Sequence, residues 1–176
     1  SSQDKRRNEE LAGLKEEVEG LLQSNKKLQS EYDESFNKVS QSLKSAQELK
    51  NNSKIEKSSL KLQMDAVVEE AQFYEKHDAC PTCAQALSTD LKREKNSECK
   101  NHAKTLNGQY FEVKNTIDKV DKKITSLQKS FTHLNEVNTS IRSNDARIVL
   151  INDRIKNLDE KIGVKQDTGK AKAKLL

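Results

Sequence analysis

The chain has 176 residues, of which 32% are hydrophobic, 34% charged and 4% aromatic, with no tryptophan. A typical globular domain is about 45–50% apolar, so this composition excludes a thick core but allows a thin seam between helices. The 32 basic and 28 acidic side chains are too evenly mixed to predict more than weak direct binding of DNA. Five glycines and one proline leave few turns and predict long helices.

The first predicted element is a helical arm over residues 1–78, in which apolar residues recur at alternating steps of three and four. This spacing is the a/d seam of a left-handed coiled coil. Ser53 and Lys57 weaken the seam, so residues 50–57 are either a flexible point or, as we favour, a harmless polar stretch. With one phase shift before Phe36, the seam comprises Leu11, Leu14, Val18, Leu21, Asn25, Leu28, Tyr32, Phe36, Val39, Leu43, Ala46, Leu60, Met64, Val67, Ala71 and Tyr74.

The periodicity stops between Tyr74 and Leu91, where the only proline, Pro81, lies. Proline disrupts a helix interior, so we expect a turn at residues 80–84 within an apex segment, 79–88. Because Leu11 and Asn152 are equally far from the two ends of the turn, residue i should pair with a residue near 163 − i. A parallel dimer of continuous helices is the disfavoured alternative.

The second predicted arm, residues 89–162, has the clearer seam. It is expected to shift phase between Ile148 and Ile151, which would locally overwind the coil. Residues 163–176, with Gly163, Gly169, four lysines and one aspartate, are expected to form a basic flexible tail. The seam comprises Ala103, Leu106, Tyr110, Val113, Ile117, Val120, Ile124, Leu127, Phe131, Leu134, Asn138, Ile141, Asp145, Ile148, Ile151, Ile155, Leu158 and Ile162.

Two of the three cysteines, Cys80 and Cys83, form a C-x-x-C pair at the predicted apex. Such a pair can supply two of the four thiolate or imidazole ligands that structural zinc requires. The other two could come from Cys99 and His102, which complete a C-x2-C-x15-C-x2-H spacing, or from a second copy of the chain. We favour the second copy, because Cys99 falls on the seam, where a small buried hydrophobe is its simplest role.

Other interpretations of the cysteines are weaker. A redox C-x-x-C normally belongs to a strand–helix unit, and no strand is expected here. A coiled-coil scaffold without metal is the alternative from another functional class. His77, three residues before the pair, is either a substitute or supporting ligand or an exposed histidine at the end of the arm.

The sequence offers little for catalysis, membrane insertion or secretion. Residues 163–171 only loosely resemble a phosphate-binding loop, with one residue too many and alanine at the end, so this chain is not expected to hydrolyse ATP. No run approaches the about 20 apolar residues of a membrane span, and no signal peptide is visible. The odd cysteine count does not suggest a disulfide framework. We therefore expect a reducing compartment: the cytoplasm, the nucleus or, for a phage protein, the host cytoplasm.

Matched arms with C-P-T-C at residues 80–83, then Leu87 and a new helix, resemble the zinc hook of SMC-like DNA-repair ATPases. That family includes the SbcC type, the Rad-fifty type and the large subunit of phage recombination endonucleases. The resemblance covers essentially the whole chain, but its specific part is the short apex. Many hooks have glycine after the second cysteine, where this chain has Ala84. Because glycine permits a positive φ angle, alanine here suggests a different turn.

The resemblance implies an all-α antiparallel coiled-coil hairpin that dimerises tip to tip. One zinc ion per dimer would be held by Cys80 and Cys83 of each chain, with Pro81, Thr82, Ala84 and Leu87 at the dimer contact. It also implies that this chain is the middle segment of a larger protein. The parent would have ATPase heads, work with a nuclease subunit on DNA double-strand breaks, and tether DNA through linked rods.

Overall fold

The computed structural model describes residues 1–175, apart from the side chains of Lys165, Gln166 and Ala173. Two helices, α1 (Ser2–Lys76) and α2 (Thr89–Leu175), account for nearly all of it. They pack against each other, and the described residues form no strand beyond one isolated bridge between Ala79 and Ala86. This arrangement is compatible with the predicted helical hairpin.

The helices extend differently from the predicted arms. α1 ends at Lys76, and α2 continues through Gly163 and Gly169 to Leu175. The segment expected to be a flexible tail is therefore helical over residues 163–175. Once a helix exists, each added residue gains a hydrogen bond, and a glycine costs only about 1 kcal/mol relative to alanine. With no proline after Pro81, nothing in the sequence forces α2 to stop earlier.

The chain divides into two compact units, which are described separately. Unit 1 comprises Ser1–Val39 and Lys129–Leu176, and unit 2 comprises Ser40–Gln128. In unit 1, Glu10 contacts Arg154 and Glu17 contacts Arg147, so the two helices run antiparallel there. In unit 2, the contact between Lys50 and Asp121 fits the same orientation.

The register of pairing is close to the predicted one in unit 1 and displaced from it in unit 2. The numbers of the paired residues Glu10 and Arg154 add to 164, near the expected 163, whereas those of Lys50 and Asp121 add to 171. The prediction centred the turn on the cysteines. The numbers of the residues that end α1 and begin α2, Lys76 and Thr89, add to 165, so the centre of the loop lies slightly after the centre of the cysteine pair.

The core of unit 2 is a narrow seam in which burial recurs every seven residues on each helix. The buried positions in this repeat are Ala46, Ser53, Leu60 and Val67 on α1, and Cys99, Leu106, Val113 and Val120 on α2. Ile124, four residues after Val120, is also buried. Ser53 is only 4% exposed, although it had been expected to be a poor seam residue. It lies within continuous helix, as do all of residues 50–57, so this stretch does not break α1.

The phase of the seam differs from the predicted phase in unit 1. Phe36 remains 37% exposed, while its neighbour Ser35 is half-buried. Val137 is 5% exposed and was not predicted to lie in the seam, and half-buried Asn144 takes the place expected for Asp145. Helix α2 therefore makes its short step at residues 134–137, before the predicted one, because burying Val137 removes more apolar surface than burying Asn138.

Candidate metal site at the apex

The end of α1 is capped by the side chain of His77. Its ring stacks on Phe73 at 4.8 Å between centroids, and its Nδ1 donates to the carbonyl oxygen of Phe73 at 2.9 Å. The last carbonyls of a helix have no main-chain donor inside the helix, so this bond supplies one. His77 therefore holds the chain as it leaves α1 for the apex.

Backbone hydrogen bonds close the apex loop. The N–H of Leu87 donates to the carbonyl of Asp78, and the N–H of Cys80 donates to the carbonyl of Gln85, each at 2.8 Å. These bonds flank the bridge between Ala79 and Ala86. None of them uses a cysteine sulfur, so the loop has a backbone framework of its own.

The two candidate ligands lie at the ends of a tight turn over residues 81–83. Pro81 has the fixed φ that favours the second position of such a turn. Ala84 follows with a φ of 59° and donates its N–H to the carbonyl of Cys80 at 2.8 Å. Alanine had suggested a turn different from one with glycine here, yet Ala84 adopts the positive φ that glycine would permit, and the bond to Cys80 accompanies that conformation.

The start of α2 fixes the other side of the loop. Ser88 accepts a hydrogen bond from the N–H of Leu91 on its Oγ at 3.1 Å, which caps the helix. Lys92, one turn later, forms an ion pair with Asp78 at 2.5 Å and thereby lowers the pKa of that carboxyl. Sequence reasoning placed this helix start near Ser88 but missed the ion pair, since Asp78 and Lys92 meet only when the loop closes.

The thiol of Cys80 is prepared for metal binding by its own turn. The backbone N–H groups of Cys83 and Thr82, and next the Cys83 side chain, lower the pKa of Cys80 below its ordinary value because they favour the thiolate. Cys80 is half-buried, whereas Cys83 is exposed. Three further residues predicted to lie at the dimer contact are also exposed: Pro81, Thr82 and Ala84. Leu87 is half-buried.

This donor set fits a soft divalent ion such as zinc. It consists of two cysteine sulfurs on one turn, and the pKa of Cys80 is lowered from its ordinary value. Across the described residues, no three His, Cys, Asp or Glu side chains come together in a group that could hold a metal. The turn thus brings together two ligands of the predicted four.

Cys99 and His102, the other candidate ligands, are not brought to the apex. Cys99 lies ten residues into α2, about 15 Å along the helix from Thr89, at the usual rise of 1.5 Å per residue. It is 5% exposed in a core cluster with Val67 and Leu106, and this burial raises the pKa of its thiol. His102 is exposed. Ligation by these residues at the apex would require α2 to unwind.

Comparisons with known proteins give no further guide to the site. No protein-family model, curated protein or solved structure matches this chain. Over the part of the chain that the structure describes, neither helix has the length of apolar sequence needed to cross a membrane.

Proposed function

We propose that this chain is a zinc-dependent dimerisation module in which the apices of two copies share one metal ion. The observation that carries the proposal is the turn at residues 80–83, which presents Cys80 and Cys83 together at the end of two packed helices. Two ligands from each of two chains complete the tetrahedral four-cysteine set of a structural zinc site. A two-fold symmetric contact of this kind uses the same surface on both partners.

The chemistry of the turn supports this assignment over binding by a single chain. Backbone N–H groups of the turn lower the pKa of Cys80, which favours the deprotonated form that binds metal. Cys83 is exposed, so a partner can approach it. The alternative ligand Cys99 is packed in the seam, where its apolar neighbours stabilise the two helices.

When bound, zinc supplies the link, while the helices supply reach and orientation. Structural zinc contributes on the order of 10 kcal/mol of apparent free energy in small peptides. With only two ligands from each chain, the link should be weaker and reversible. Acid, oxidants and chelators should all break it, because only the thiolate binds metal.

The proposed biological setting rests on the resemblance of the apex to the zinc hook. In a larger parent protein, linked rods would connect ATPase heads that act with a nuclease subunit in DNA double-strand-break repair or recombination. The fragment itself would serve as the tether and would not hydrolyse ATP. In the full-length parent, Cys83→Ser should abolish bridging of two DNA molecules while leaving the ATPase activity of the heads intact.

The direct test measures mass and metal content together. We expect light scattering to give a dimer with one zinc per two chains, which EDTA converts to monomers. Cys83→Ser should be monomeric and metal-free, and the matched control Cys99→Ala should behave like the unsubstituted chain. One zinc in a monomer, lost in Cys99→Ala, would instead establish the site of three cysteines and one histidine. A metal-free dimer indifferent to EDTA would indicate a coiled-coil scaffold.

A further inference from the structure

A polar layer interrupts the apolar seam of unit 1. Asn25 of α1 donates from Nδ2 to Oδ1 of Asp145 at 2.8 Å, and its own Oδ1 accepts from Nδ2 of Asn144, also at 2.8 Å. Asn25 and Asn144 are half-buried, and Asp145 lies at the edge of the seam, exposed to solvent. Both polar ends of the Asn25 amide are thus paired with the opposite helix.

The apolar residues around this layer do not by themselves define one pairing. On α2, one row of the seam repeats isoleucine every seven residues, at 141, 148, 155 and 162. One row of half-buried seam residues on α1 repeats leucine at 14, 21 and 28. Sliding one helix past the other by seven residues would replace isoleucine with isoleucine and leucine with leucine.

The second seam row of α2 is where such a slide would be detected. It reads Val137, Asn144, Ile151 and Leu158, of which only Asn144 is polar. After a slide of seven residues, Asn144 would face Val18 or Tyr32, and Asn25 would lose its hydrogen bond to Asn144. Asn138 or Asn152 would then take the position of Asp145, so only the bond within the seam would have no replacement. A buried amide without partners is costly, whereas an exchanged isoleucine is not.

We propose that Asn25, through Asn144 and Asp145, sets the register in which the two helices of unit 1 pair. A single asparagine in a coiled-coil seam acts in this way elsewhere, fixing alignment at some loss of stability. A residue that sets the register is needed here because Asn25 lies 55 residues before Cys80, and an error in pairing can accumulate over that length. The role concerns pairing within one chain and does not depend on metal binding at the apex.

Cross-linking of paired cysteines with a short bifunctional maleimide tests the proposal in a background with Cys80→Ser, Cys83→Ser and Cys99→Ala. The side chains of Glu10 and Arg154 meet at 2.9 Å, so Glu10→Cys with Arg154→Cys lies within reach of such a reagent and reports the observed register. Glu10→Cys combined with Arg147→Cys, or with Lys161→Cys, reports a slide of seven residues in either direction. Low protein concentration and size analysis restrict the measurement to bonds within one chain.

With the polar layer intact, we expect the pair at 10 and 154 to cross-link at least about ten times faster than either displaced pair. In the double variant Asn25→Leu and Asn144→Leu, this preference should fall to about threefold or less, although the melting temperature should rise as the seam becomes fully apolar. Asn138→Leu is the matched control: a half-buried asparagine outside the layer, whose replacement should leave the preference unchanged. Full preference in the double variant, or an equal loss in the control, would overturn the proposal.

Discussion

Ala84 donates its backbone N–H to the carbonyl of Cys80 at 2.8 Å, and this bond accompanies the only positive φ among the described non-glycine residues. The hydrogen bond joins the residue that follows the turn to the first candidate ligand. A left-handed conformation costs an L-residue roughly 1–2 kcal/mol, whereas glycine adopts it freely. The apex loop is therefore formed at a cost that a single substitution can remove.

Ala84→Gly should stabilise the apex loop by up to about 1 kcal/mol, because the relief of strain exceeds the greater entropy of glycine in the unfolded chain. Native-state hydrogen exchange at the amides of Cys80 and Leu87 measures the change, with up to about fivefold slower exchange expected. Ala86→Gly is the matched control, since Ala86 has no positive φ. It should accelerate exchange, and equal effects of the two substitutions would contradict the strain argument.

Replacing either apex cysteine should separate folding from association. Cys80→Ser and Cys83→Ser should keep the helical circular dichroism of the unsubstituted chain, because the loop is closed by backbone hydrogen bonds that need no sulfur. Both variants should nevertheless lose zinc and remain monomeric by light scattering. A large loss of helix in the monomers would show that the metal, and not the seam, holds the two helices together.

Cys80 and Cys99 should differ in their alkylation rates and in the dependence of those rates on pH. A lowered pKa means that Cys80 retains more thiolate than an ordinary cysteine at any pH below its usual range, while burial raises the pKa of Cys99 and removes thiolate there. Without metal, iodoacetamide should therefore modify Cys80 faster than Cys99. The ratio should widen as the pH falls from about 9 toward 7, since only the thiolate reacts.

Peptide mapping by mass spectrometry gives the alkylation rate at each cysteine, and a sample with EDTA gives the metal-free rates. In a second sample, with zinc and without EDTA, the metal should protect Cys80 and Cys83 but leave the rate at Cys99 unchanged. Protection of all three thiols by zinc would point instead to a site that includes Cys99.

Substitutions in unit 2 should distinguish the seam from the outer surface of α1 and α2. Leu106 is 3% exposed, whereas Leu62 is 70% exposed. Leu106→Ala should lower the free energy of unfolding by about 2–3 kcal/mol, the lower part of the range for buried leucines, because a two-helix seam can partly collapse around the gap. Leu62→Ala, the matched control, should change it by no more than about 0.5 kcal/mol.

Urea unfolding followed by circular dichroism, with EDTA at one fixed protein concentration, provides both values. A large effect of Leu62→Ala would indicate that the outer face of α1 is covered in solution.

Much of the fold was predictable because long helical periodicity is a local property. The steps of three and four, the scarcity of glycine and the position of Pro81 predicted two helices with a break between them. The apex turn was predictable for the same reason, since proline restricts its own φ angle wherever it occurs. The end of α2 was not predictable, because no local signal distinguishes a frayed terminus from a continuing helix in a lysine-rich segment.

The phase of the seam could not be predicted with equal success. Val137 and Asn138 are neighbours, and either choice continues an acceptable repeat along α2. Burial of Val137 depends on what α1 presents opposite it, which is a property of the pair of helices. The same holds for Ser53, which is buried because the residues before and after it in the seam are buried.

The sequence by itself determined that two helices form, where the chain turns, and which residue types stand at the turn, because these follow from local backbone preferences and spacing. Only the tertiary structure decided that Ala84 takes a positive φ, that Asp78 meets Lys92, and that Asn25 pairs with Asn144 and Asp145. Each of these outcomes depends on contacts between residues distant in the chain or on closure of the loop, and the free energy of such contacts is defined only once both partners are in place.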